Sequence, residues 1–256
     1  MKIFDSHSHT CYSADSKMQA ADALKAAKKA GVGLVFTEHL DIDYPGELKF
    51  EFNPEKYWEE YLPLRGEDLR LGIEVGMEDK TLAASKKFLE RAPFDLVIGS
   101  LHMVDGCDLY YKESYRGSKQ EFFKHYYELM TENIYSHSFI DVLGHIDYIS
   151  RYAPFDNPEL EYGSFAKEVD EVLHAVIETD TVMELNTRRL GNSLALKELV
   201  PIYTRYHELG GRFVTLGSDA HTADAIGANF KVALELAHAA GLKIVTFNER
   251  KMELCE

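Results

Sequence analysis

Two periodicities alternate along the chain. Short runs of apolar and β-branched residues are followed by longer stretches in which apolar positions recur every three or four residues. The first pattern predicts strands at 2–6, 33–37, 69–74, 96–100, 141–144, 182–186, 213–216 and 243–246. The second predicts helices around 20–30, 54–64, 82–91, 119–135, 165–179, 194–209 and 230–240. Gly31, Gly210 and Gly241 each follow such a stretch, where glycine ends a helix in the left-handed conformation. Strands that are each followed by a helix are joined by crossovers and run parallel, so the order predicts a (β/α) barrel or an open doubly wound sheet.

The polar residues that interrupt this pattern favour the barrel, whose reactive groups sit where strands pass into βα loops. His7 and His9 stand at the end of the first predicted strand, and Glu38 and His39 at the second. Glu74 closes the third, His102 follows Gly99-Ser100-Leu101, and His145 follows Leu143-Gly144. Asp219 and His221 come just after the strand at 213–216. Side chains at i and i+2 leave a strand on one side, so His7 and His9 can converge on one cation. His125, His137, His174, His207 and His238 fall within or beside helical stretches and are assigned to packing and surface.

Composition narrows the classes. The chain has 256 residues, 45% hydrophobic and 28% charged, which suits one domain spanning 1–256. No run approaches the ~20 apolar residues that span a bilayer, and Met1-Lys2-Ile3-Phe4-Asp5 has no signal-peptide core, so a cytoplasmic protein is expected. Cys11, Cys107 and Cys255 form no CxxC pair, which disfavours a disulfide framework or a thiolate zinc site and leaves histidine and carboxylate as metal ligands. A net charge of -15 opposes binding to nucleic acid or anionic membranes. Oligomeric state is not encoded in these features.

Taken together, Asp5-Ser6-His7-Ser8-His9, Thr37-Glu38-His39, Gly72-Ile73-Glu74, Gly99-Ser100-Leu101-His102, Gly144-His145-Ile146-Asp147 and Gly217-Ser218-Asp219-Ala220-His221 resemble the motif series of the PHP (polymerase and histidinol phosphatase) superfamily. The resemblance runs from residue 5 to residue 221 in the family's order and is closest to its stand-alone histidinol-phosphate phosphatases. It implies a distorted (β/α)7 TIM-like barrel with two or three divalent metal ions, for which mixed imidazole and carboxylate ligation suits Zn, Mn or Fe. Carried over by position, it implies one metal on His7, His9, Glu74 and Asp219, and a second, bridged by Glu74, on His102 and His145. A third would lie on His39, His221 and Asp15, where some relatives carry histidine in place of the aspartate.

The implied reaction is hydrolysis of a small phosphate monoester, L-histidinol phosphate, by water activated between metals, with Asp219 and His221 as catalytic candidates. Phosphate recognition calls for guanidinium forks. Arg116, Arg151 and Arg188 are the candidates, with Arg189 able to exchange roles with Arg188. The segment 103–118 is expected to cover the site, its acidic and tyrosyl side chains suiting a cationic amine and an imidazole, and the 41–52 loop to shape the pocket. The competing readings are a PHP phosphoesterase acting on nucleotides or single-stranded nucleic acid ends, a non-catalytic PHP module, and a metal-dependent amidohydrolase. The acidic balance and the lack of a basic, aromatic-lined track oppose the nuclease. Retention of the ligands opposes the non-catalytic module, and the absence of a bridging lysine at a strand end opposes the amidohydrolase.

Overall fold

A computed structural model describes residues 2–255. In chain order its strands are β1 (Phe4–Ser8), β2 (Gly33–Leu40), β3 (Leu69–Gly76), β4 (Val97–Ser100), β5 (Met103–Val104), β6 (Cys107–Asp108), β7 (Val142–Leu143), β8 (Val182–Asn186), β9 (Phe213–Gly217), β10 (Lys243–Asn248) and β11 (Lys251–Leu254). The helices are α1 (Ala20–Ala30), α2 (Pro54–Tyr61), α3 (Leu82–Leu89), α4 (Lys119–Ser136), α5 (Tyr162–Glu178), α6 (Ser193–Leu209) and α7 (Phe230–Ala240). The main sheet has the order β1-β2-β3-β4-β7-β8-β9-β10-β11, parallel throughout except for the terminal β10–β11 hairpin. At its top, β1 returns to β9. Ser8 bridges Ala220, the His9 amide donates to Ala220 O (2.9 Å), and the Asp219 amide donates to His7 O (2.9 Å). These few bonds bring the first and seventh parallel strands together in the distorted barrel arrangement expected from the sequence.

Alternation along each strand separates two cores. Leu34, Phe36, Leu71, Ile73, Val97, Leu143, Met183, Leu185, Val214 and Leu216 face outward and pack with the helices in the large core. Phe4, Val35, Leu96, Ile98, Val142, Val182, Val245 and Phe247 form a smaller inner core. Continuing along the inner face by twos from Val35 reaches Thr37 and His39, from Ile98 reaches Ser100, and from Val182 reaches Glu184 and Asn186. The apolar floor therefore passes upward into a polar, chemically active layer.

β1 breaks this rhythm. Its register against β2 is irregular between Asp5 and Ser8, and the extra residue lets Phe4 face the floor while His7, of opposite parity, faces the same interior. Below, the β10–β11 hairpin ends the sheet and adds Val245 and Phe247 to the inner floor. Glu249 and Arg250 turn with φ of 49° and 63°, and the Glu249 amide donates to Asp95 (2.9 Å). Arg70 spans from the Phe247 carbonyl (2.8 Å) to the face of Phe4 (4.3 Å).

Some predicted bounds move. The predicted helix 54–64 ends at Tyr61 and tightens into a 3-10 turn, Leu62–Leu64, because Pro63 has no N–H to continue the ladder. The β5–β6 hairpin and β11 were not expected. The hairpin strands are only two residues each, too short for periodicity to register. No helix among the described residues is long and apolar enough to cross a membrane.

Candidate metal centre

Glu74 lies at the middle of the polar layer, fully buried in β3. Its Oε1 is 3.2 Å from His102 Nε2 and 3.0 Å from His145 Nε2. Its Oε2 is 3.2 Å from His7 Nε2, 3.6 Å from His9 Nε2 and 2.9 Å from His39 Nδ1. Five imidazoles from four segments thus converge on one carboxylate. Asp219 stands on the other side of the HxH pair, its Oδ1 3.4 Å from His9 Nε2 and 3.8 Å from His7 Nε2. Asp15 Oδ2 lies 3.1 Å from His221 Nε2 and 3.6 Å from His39 Nε2. All nine candidate ligands therefore gather in one place.

Their donor atoms fall into overlapping groups within 4.8 Å of one another: His7, Glu74 and His145; His7, His9 and Asp219; His9, His39 and His221; and His39, Asp41 and His102. The chain's own hydrogen bonds leave this cluster incomplete. His7 Nε2, His9 Nε2, His39 Nδ1 and Glu74 Oε2 are buried with no hydrogen-bond partner. Unsatisfied buried polar atoms cost about 1–3 kcal/mol each, and a divalent cation would satisfy several at once. The donor set fits such ions by chemistry as well as by position.

The electrostatics agree. Burial lowers the His7 imidazole, but Glu74, Glu184 and Asp219 outweigh it and hold its pKa well above the ordinary histidine value. His39 and His102 are raised in the same way, burial being outweighed by Glu74 with Asp15 for the first and by Asp41 with Glu74 for the second. Burial pushes Glu74 upward, yet His7, His102 and His39 hold it well below the usual carboxylate range. His9 is lowered by burial and by His39 and His221, and His145 by burial and Arg151.

Asp219 occupies the left-handed region, with φ of 54°. Aspartate visits this region at a cost of roughly 1–2 kcal/mol, and the tight turn aims its carboxylate back over β1. Arg151 Nη1 donates to Asp219 Oδ2 (2.5 Å), and Arg188 Nη1 lies 3.5 Å from the same oxygen. Burial raises Asp219, and Arg151 with His7 outweighs it, leaving the carboxyl well below its ordinary range. The two arginines line a cavity of about 370 Å³ together with Asp15, His39, His102, His145, Asp219 and His221. Its outer wall comes from the two loops expected to cover it: Asp41, Tyr44, Leu48 and Phe50 from one, Asp108, Tyr110 and Tyr111 from the other, with Tyr148 and Tyr152 between.

Two arginine expectations are corrected. Arg116 does not reach this cavity. It lines a separate one with Asp105, Cys107 and His125, because the β5–β6 hairpin turns the chain away before residue 116. Arg189 cannot exchange with Arg188, since it is tied to Asp147 (2.8 Å) and Glu159 (2.7 Å) in a buried ion cluster. Glu38 points to the opposite face from His39, accepting from Thr10 and Ser13.

Sequence reasoning missed three polar residues behind the cluster. Glu184 Oε1 receives His7 Nδ1 (2.6 Å), Asp41 Oδ1 pairs with His102 Nδ1 (2.9 Å), and Asn186 Oδ1 accepts from Arg151 Nη2 (3.2 Å). The signal for two of them was present, since Glu184 and Asn186 are an i, i+2 polar pair in an apolar strand, the same spacing as His7 and His9.

Comparison with known proteins defines the class. The PHP domain family matches residues 5–188, and the chain belongs to that family. It is 44% identical over 252 residues to a protein of Clostridium acetobutylicum named as a probable histidinol-phosphatase, covering 98% of this chain and 99% of that one. It is 27% identical to the histidinol-phosphatase of Lactococcus lactis subsp. lactis, covering 99% of this chain and 97% of that one. The crystal structure of histidinol phosphate phosphatase from Lactococcus lactis subsp. lactis, complexed with zinc, L-histidinol and phosphate, superposes with a TM-score of 0.93 at 27% identity, over 98% of this chain and 99% of the other.

Proposed function

We propose that this chain, as one catalytic domain, hydrolyses L-histidinol phosphate to L-histidinol and inorganic phosphate. The observation that carries this reading is the full-length structural match to the Lactococcus enzyme crystallised with zinc, L-histidinol and phosphate, together with a carboxylate ringed by five imidazoles beside two cavity arginines. Two or three divalent ions, Zn, Mn or Fe(II), would be held by His7, His9, Glu74 and Asp219, by Glu74, His102 and His145, and by Asp15, His39 and His221. When bound, such ions bring the pKa of a water toward neutrality and neutralise phosphoryl charge.

The chain's own groups do the rest. Arg151 and Arg188 exchange their contacts with Asp219 for the non-bridging oxygens of the phosphate, a match of fork to tetrahedral anion. Once Arg151 has turned to the phosphate, Asp219 loses the contact that keeps its carboxyl low, and its freed carboxylate is placed to accept a proton from the attacking water and to pass it to the departing alkoxide. His221, whose Nε2 faces Asp15, flanks the leaving-group side. Tyr44, Tyr110, Tyr111, Tyr148 and Tyr152 enclose the alcohol end of the substrate, and Asp108, which accepts from Tyr44 OH (2.5 Å), supplies a carboxylate to its ammonium group.

A phosphate-release assay tests the reading. Rapid release from L-histidinol phosphate, with little from nucleotides or from single-stranded nucleic acid ends, is the expected result. The reverse preference refutes it.

A further inference from the structure

The β8 strand ends in two inward side chains, Glu184 and Asn186, that contact both the imidazole cluster and the arginines without lining the cavity. Glu184 is fully occupied. Its Oε1 receives His7 Nδ1–H (2.6 Å), and its Oε2 receives the His145 amide (2.7 Å) and Asn186 Nδ2 (3.1 Å). Asn186 Oδ1 in turn receives Arg151 Nη2 (3.2 Å) and the Arg188 amide (3.1 Å). The neighbouring strand leaves room for this carboxylate. A Cβ added at Gly217 would lie 2.1 Å from Glu184 Oε1 and 2.6 Å from His7 Cβ. Only glycine admits both groups.

We infer that Glu184 and Asn186 form a positioning pair that fixes the cation-facing nitrogen of His7 and the seat of His145 through one residue, and the aim of Arg151 and Arg188 through the other. The acceptor at His7 Nδ1 fixes the tautomer that leaves Nε2 free, as carboxylates behind metal-bound histidines do. Their mutual hydrogen bond (3.1 Å) sets the two roles side by side on a single strand, each residue serving its own partners. The inference rests on the reading of the centre as a metal-dependent phosphate site, and its tests do not require turnover of any particular ester.

Glu184→Gln keeps the shape but offers one acceptor oxygen to donors that now meet an N–H₂ group. In folded protein, chelator competition should show metal affinity reduced by about 10- to 100-fold. Asn186→Ala should leave metal affinity at the wild-type level and weaken binding of inorganic phosphate to the metal-loaded enzyme by roughly threefold to tenfold, the value of one or two modest hydrogen bonds. Because Asn186 acts through Arg151 and Arg188, the double variant Asn186→Ala, Arg151→Ala should lose less phosphate affinity than the sum of the two single losses. Wild-type metal affinity in folded Glu184→Gln overturns the first half of the inference. Additive losses in the double variant, or a metal-affinity loss in Asn186→Ala equal to its phosphate loss, overturn the second. Should Glu184→Gln fail to fold, Glu184→Asp, which keeps the charge but draws the carboxylate back from His7 Nδ1, takes its place: lowered metal affinity is expected, and wild-type affinity overturns the first half. A wild-type enzyme that binds metal and phosphate yet spares L-histidinol phosphate would refute the proposed substrate and leave these measurements standing.

Discussion

Arg151→Ala tests the proposed phosphate seat most directly. The guanidinium is nearly enclosed, at 6% side-chain exposure, held between Asp219 Oδ2, Asn186 Oδ1 and the face of Tyr148, 5.0 Å away. Such a fork donates charge-assisted bonds to phosphate without much ordering cost, since its neighbours already fix it. Each bond involving a charged partner is worth about 1.5–3 kcal/mol, so loss of one net bond predicts a roughly 10- to 150-fold rise in KM. The inhibition constant of inorganic phosphate should rise by a similar factor, because the same oxygens are released. Metal content should not fall, since Arg151 is not among the donor groups that gather around Glu74. Arg151→Lys should recover only part of the loss, keeping the charge but not the fork. Steady-state kinetics with phosphate inhibition, paired with elemental analysis, measures all three quantities. Unchanged KM and phosphate inhibition in a folded, metal-replete variant would refute the assignment.

Three further outcomes are expected. His145→Ala removes a nitrogen 3.0 Å from the central carboxylate and should nearly abolish turnover, while chelation of the wild type should abolish activity that added divalent ions restore; normal kinetics in the variant would remove His145 from the centre. The cation-free protein should release protons on taking up metal, seen by calorimetry as a heat that varies with buffer ionisation enthalpy, because His7, His39 and His102 have raised pKa values and must lose their protons to ligate. By the same sign, their ion pairs contribute stability to the cation-free chain that is complete below about pH 6.5, the ordinary histidine value, and is lost as pH rises through the raised values; its melting temperature should decline over that range, whereas metal retention should improve. Asp108→Asn should raise KM for L-histidinol phosphate by roughly 10-fold, the loss of one charged contact, and hardly alter it for an uncharged alkyl phosphate; equal effects on both would remove Asp108 from amine recognition.

The order of strands and helices, and nearly all of the polar cluster, were legible in the sequence because they depend on local rules. Periodicity of two or about 3.6 marks the elements, and a barrel places strand ends at one mouth, so His39, Glu74, His102, His145 and Asp219 announce a site by their position alone. Tertiary structure decided what periodicity does not carry. The irregular register between Asp5 and Ser8 turns His7 toward the interior against the parity of Phe4. A two-residue hairpin carries Arg116 away from the mouth, and a buried pair of carboxylates claims Arg189 while Arg188, one position earlier, reaches Asp219. Glu184 gained His7 across the interior, and Asn186 gained Arg151 and Arg188, only when β1 met β9 and the arginine-bearing loops folded over β8. A side chain's type and spacing are fixed along the chain, but its partner is set by which distant backbone approaches within about 3 Å, and that is decided by the packed barrel as a whole.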